Sequence, residues 1–169
     1  MSERRERKPL YTSEQRLRRD ASEWTVVQGM LAPLQFAIFL VSLALVAHFL
    51  LTGRDEAAAT VSVVVKTIAL YTIMVTGSLW EKAVFDRYLF AEPFFREDAF
   101  SMLVLAAHTA YLVALLLGLL EPRGLMLLAL AAYAAYLINA TQFLLKLRAA
   151  RLESAPPPCC RAAEPEPVP

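Results

Sequence analysis

Four long apolar runs divide the chain: Thr25 to Leu51, Ala57 to Leu79, Ala99 to Leu120 and Leu125 to Leu147. At about 1.5 Å per residue each is long enough for a hydrocarbon core of about 30 Å. The pattern predicts an all-α membrane protein with four transmembrane helices. In the first run Pro33 removes one backbone donor, frees the carbonyl of Gly29 and predicts a kink. Gln28 and Gln35 flank it on one face. The second run carries Lys66, Thr72 and Thr76. A lysine there must face the bundle or reach its ammonium toward the nearer boundary, and the second arrangement, snorkelling, is the expected one. The third run contains His108. The fourth contains Tyr133, Tyr136, Asn139 and Gln142, with alanines that permit close helix approach.

The polar stretches between the runs are unequal. Residues 1–23 are heavily charged. There Thr12 and Gln15 have capping-box spacing for a short surface helix that carries Leu17, and Asp20 with Glu23 has the same spacing for the next helix. Thr52 to Glu56 and Glu121 to Gly124 read as tight turns. Residues 80–101, WEKAVFDRYLFAEPFFREDAFS, interleave five acids, three bases and seven aromatics. They are too charged for hydrocarbon and too aromatic for free solution, so they suit the membrane–water boundary. The reading is therefore a basic N-terminal segment (1–24), a four-helix transmembrane domain (25–152) and a Pro-rich disordered tail (153–169), with an interfacial aromatic and acidic connector between helices 2 and 3.

Charge fixes the expected orientation. Fourteen of the lysines and arginines lie in the N-terminal segment, the 80–101 connector and the C-terminal flank and tail, and only Arg54 and Arg123 in the two short turns. Positive charge collects on the cytoplasmic side, which predicts that both termini and the connector are cytoplasmic. The net charge of +1 gives no basic face for nucleic acid. Cys159 and Cys160, adjacent in the tail, have neither disulfide geometry nor nearby metal-ligating partners. No cleavable signal peptide is expected, because the first apolar run is too long for one.

Counted inward from the connector side, Gln28, Gln35, Thr76, Thr72, His108, Asn139 and Gln142 all fall within about 15 Å of the boundary. His48 and Lys66 lie further out. A polar shelf beneath a row of acids is a candidate site. Glu97, Ser101 and His108 share one face of the third helix.

Three stretches, LYTSEQRLRRDASEWTVVQGMLAPLQF, VVVKTIALYTIMVTGSLWEKAVFDRYLFAEPFFREDAFSMLVLAAHTAYL and YAAYLINATQFLLKLRAARL, resemble the 3-vinyl bacteriochlorophyllide hydratases of phototrophic bacteria. The resemblance runs from about Leu10 to Leu152. It implies water addition across the C3 vinyl group of a magnesium chlorin, giving the 1-hydroxyethyl product, in a bacterial inner (cytoplasmic or intracytoplasmic photosynthetic) membrane. It implies a chlorophyllide substrate, a lipid environment and neighbouring pigment-biosynthesis enzymes as partners. It implies no redox cofactor. Such chemistry needs a carboxylic acid that is still protonated near neutral pH, to protonate the terminal vinyl carbon, and a base to take a proton from water. Glu81, Asp86, Glu97 and Asp98 are the candidate acids, with Glu81 and Asp98 first because each stands where a helix meets the boundary. A second of these acids, or His108, is the candidate base. His108 is also a candidate axial ligand of the chlorin magnesium. Lys82, Arg87 and Arg96 are candidates for the substrate carboxylate, Trp80, Tyr88 and Phe95 for its ring, and Gln35, Asn139 and Gln142 for its polar periphery. A pigment carrier or assembly factor would use the same aromatics without the acids. A transporter half would need an internal repeat that the spans lack.

Overall fold

The computed structural model describes residues 11–153. Five helices follow in order: α1 (Ser13–Ala21), α2 (Glu23–Thr52), α3 (Glu56–Phe85), α4 (Phe95–Leu116) and α5 (Pro122–Glu153). The last four are long and apolar enough to cross a membrane. Their outer faces expose Val41, Val61, Ile68, Val75, Leu103, Val113, Leu127 and Leu144. A helix that is apolar on every side belongs in lipid.

The helices form two antiparallel hairpins, α2 with α3 and α4 with α5, joined chiefly where α2 meets α5. The first hairpin turns at Gly53, whose φ of 71° and N–H bond to the Phe49 carbonyl end α2 in a left-handed cap. In the second, the Leu119 N–H bonds to the Ala114 carbonyl and the Gly118 N–H to the Leu115 carbonyl, with Gly118 at φ 60°. That is a Schellman cap, and Pro122 then begins α5, where a missing N–H costs nothing.

The inner faces keep helical spacing: Gln35, Phe39, Ser42, Val46 and Phe49 on α2, and Asp98, Ser101, Val104, His108, Tyr111 and Ala114 on α4. A polar seam crosses the apolar core. The Ser42 hydroxyl bonds to both Ser62 and the Tyr133 hydroxyl. Gln28 donates to Thr76, so this glutamine stitches α2 to α3. α2 remains helical through Pro33.

Several local expectations need revision. Thr12 and Gln15 do form a capping box. Asp20 and Glu23 do not: Asp20 stays inside α1 and accepts from Arg19, while Ser22 is the N-cap of α2. Lys66 does not snorkel. It is fully buried, with its ammonium 3.8 Å from the Tyr136 ring centroid. The 80–101 stretch is not one connector. Residues 80–85 end α3 and residues 95–101 begin α4, leaving a short link over 86–94. Helical hydrogen bonding simply continues past the last apolar residue. Cys159, Cys160 and the Pro-rich tail lie outside the described residues.

Candidate active site

α3 and α4 converge where their apolar windows end, beyond Leu79 and before Ala99. Glu81 sits in the penultimate turn of α3 and Asp98 in the first turn of α4. Both are buried, at 6% and 3% exposure, and their carboxyl groups hydrogen-bond to one another. The link between the helices closes over them. Asp86 ends α3 at φ 61°, and its N–H bonds to the Lys82 carbonyl. Phe90 is also left-handed, at φ 60°. These two bends turn consecutive backbone N–H groups inward: Phe90 donates to Asp98 Oδ2 at 2.8 Å and Ala91 to Glu81 Oε2 at 3.3 Å.

Two carboxyl groups that hydrogen-bond to one another must hold a proton between them, because two carboxylates can only accept. The shorter backbone bond goes to Asp98, from the Phe90 N–H, and favours the anion there. Helix dipoles sort the pair in the same direction. Glu81 lies near the C-terminal end of α3, where negative charge is disfavoured, and Asp98 at the N-terminal end of α4, where it is favoured. One proton shared between them therefore rests on Glu81, which donates to Asp98.

Lys146 of α5 secures the arrangement from the other side. Its ammonium donates to the Pro93 carbonyl and to Glu97 Oε2, the latter at 2.6 Å, and lies 4.7 Å from the Phe94 ring centroid. Around it Tyr11, Trp80, Phe85, Phe94 and Phe143 form an aromatic cluster. The Trp80 indole N–H is spent on Thr25.

The structure brings Glu81 and Asp98 together and separates the other candidates. Asp86 is exposed and bonded to Arg18, which holds its carboxyl below the usual range. Glu97 is paired with Lys146. His108 is fully buried, about three helical turns along α4 from Asp98, with Nδ1 on the Val104 carbonyl. Lys82 bonds to the Asp86 carbonyl and lies near the Tyr88 ring. Arg87, Tyr88, Phe95 and Arg96 are exposed, and Phe95 packs on Phe90. Asn139 donates to the hydroxyl of Ser101, Gln142 is half-buried, and Gln35 lines a cavity. That cavity and a neighbouring one, about 250 and 360 Å³, lie on the α2–α3 seam away from the carboxyl pair. Sequence reasoning missed Lys146 as part of the site, although its place at the end of the fourth run, level with the connector, is legible. It also missed the Phe90 and Ala91 N–H groups, which no side-chain pattern reveals.

Residues 11–149 match the family described as 2-vinyl bacteriochlorophyllide hydratase. The chain belongs to this family. A 2-vinyl bacteriochlorophyllide hydratase of Cereibacter sphaeroides is 63% identical over 145 residues, covering 85% of this chain and 89% of the relative. One from Rhodobacter capsulatus is 61% identical over 150 residues, covering 88% and 86%. No solved structure matches the chain. The carboxyl pair, the link over it and Lys146 all lie within the part matched by the hydratase family.

Proposed function

We propose that this chain is a hydro-lyase that adds water across the vinyl group of a chlorophyllide-type pigment, with Glu81 as acid and Asp98 as base. The vinyl group is numbered 2 in the relatives' names and 3 in the scheme used above. Glu81 gives its proton to the terminal vinyl carbon, which becomes a methyl group. The positive charge left on the inner carbon spreads into the macrocycle. Water attacks that carbon while Asp98 takes its proton, leaving the 1-hydroxyethyl group. The hydrogen bond between the two carboxyl groups then returns the proton from Asp98 to Glu81. The observation that carries this reading is the buried pair itself. Two buried acids hydrogen-bonded to one another share a proton, so that one of them stays protonated and ready to donate.

The exposed Phe90, Phe95 and Tyr88 offer a flat apolar surface beside the pair. Arg87 and Arg96 stand ready for the substrate carboxylate. Admission of the ring requires the 86–94 link to lift from the acids, which breaks two backbone hydrogen bonds. The distribution of lysine and arginine supports a cytoplasmic position for this end of the bundle and for both termini, in the inner membrane of a bacterium. Residues 1–24 then form a basic cytoplasmic segment and residues 25–152 the embedded domain.

The test is turnover of chlorophyllide in heavy-oxygen water by membranes carrying the chain, its Glu81→Gln form or its Asp98→Asn form. Label in the alcohol with the unaltered chain, and at least a 100-fold loss in each variant, is the expected result. Unlabelled, unchanged pigment with the unaltered chain returns the reading to a carrier. Full turnover in both variants removes these acids from the mechanism.

A further inference from the structure

Among the described residues four buried polar atoms lack a hydrogen-bond partner. Tyr111 Oη lies one turn beyond His108 on α4, and the three that follow the carboxyl pair into the bundle are Asn139 Oδ1, His108 Nε2 and Lys66 Nζ. They come from α5, α4 and α3. Their order along the bundle can be read from the bonds that are made. Ser101 lies one turn beyond Asp98 on the inner face of α4, and its hydroxyl accepts from Asn139 Nδ2 at 2.8 Å. One turn from Asn139 on α5 is Tyr136, whose ring carries the Lys66 ammonium. His108 lies two turns beyond Ser101, beside Tyr133 and within electrostatic reach of Lys66. The three atoms thus follow one another inward from the acids, over about 10 to 15 Å.

The chemistry of these atoms selects what satisfies them. Asn139 Oδ1 is an acceptor. The Val104 carbonyl can only accept, so His108 Nδ1 carries the hydrogen and a neutral ring presents the Nε2 lone pair, a second acceptor. Lys66 is a donor with three hydrogens, and the ring of Tyr136 faces only one side of it. An anion suits Lys66 and is refused by the two acceptors. A cation is the reverse. Water donates and accepts, and so meets all three.

We propose that Lys66, His108 and Asn139 bind a file of ordered water inside the bundle, ending behind Asp98, and that the water added to the vinyl group is drawn from it. The pigment then approaches the acids from the exposed aromatic side and its co-substrate from the core. The water site stands on the unpartnered atoms. Its use in turnover rests on the hydratase reading.

Radiolytic hydroxyl-radical labelling of the full chain in membranes tests the two parts separately, because bound water labels its neighbours even where bulk water is excluded. Tyr136 and His108 are expected to label at least about 10-fold faster than Phe39, which is also buried in the same core. Labelling no faster than Phe39 overturns the water site, whatever the acids do. His108→Leu is expected to abolish fast labelling of Tyr136 and to lower kcat by about 10-fold with KM for the pigment unchanged. His108→Asn, which restores an acceptor, is expected to recover part of both. If the file labels but His108→Leu keeps full kcat, the file does not feed the reaction. Should His108→Leu fail to fold, Lys66→Met carries the same two readouts. Glu81→Gln, expected to be inactive, should still label. Activity retained in Glu81→Gln beside fast labelling rejects the acid assignment and leaves the water site standing.

Discussion

Glu81 and Asp98 show how two residues of one chemical type acquire different roles from place alone. Each is buried, but one meets the negative end of a helix and the other the positive end. Because Glu81 and Asp98 are buried together and share one proton, a protonated carboxyl belongs to the folded pair. The protonated-carboxyl stretch in infrared spectra should therefore survive to higher pH in the unaltered chain than in Asp98→Asn, which removes the charge. Asp86 makes the opposite case. It is exposed and paired with Arg18, so Asp86→Asn should leave turnover within about twofold. Lys146→Met should lower kcat by about 10-fold, because the Pro93 carbonyl and Glu97 both lose their anchor.

At the scale of helices, periodicity and punctuation made most of the bundle readable. Four apolar runs and the first tight turn located the spans. The second turn lies over 117–121 and not over Glu121 to Gly124, because the Gly118 cap ends α4 at Leu116 and Pro122 begins α5. The runs could not show where hydrogen bonding stops, since a helix continues through polar residues such as Glu81 and Lys82 when nothing breaks it. The fate of Lys66 was hidden for a related reason. Length allowed it to reach the boundary, and only the placement of the Tyr136 ring on a different helix decided otherwise. Of the site, the two favoured acids were visible as residue types at span ends. Their meeting depended on two left-handed non-glycine residues, Asp86 and Phe90, which sequence gives no reason to expect. The glycine caps carry their own prediction. Gly118→Ala places a Cβ on a left-handed residue and should cost about 1 kcal/mol, read as a lower unfolding temperature with kcat unchanged.

For the molecule as a whole, an apolar exterior and a charge-rich end define a single working face. Reporter fusions in the 86–94 link and after residue 153 should place both on the cytoplasmic side, and fusions at Arg54 or Arg123 on the other. The same architecture has a consequence for assembly. Each hairpin contributes one carboxyl group, Glu81 from the first and Asp98 from the second. In the proposed mechanism neither half owns a complete proton-transfer unit. A gene cut between Arg87 and Tyr88 should yield two inert fragments that regain activity when coexpressed, so that turnover becomes a gauge of how firmly the halves embrace.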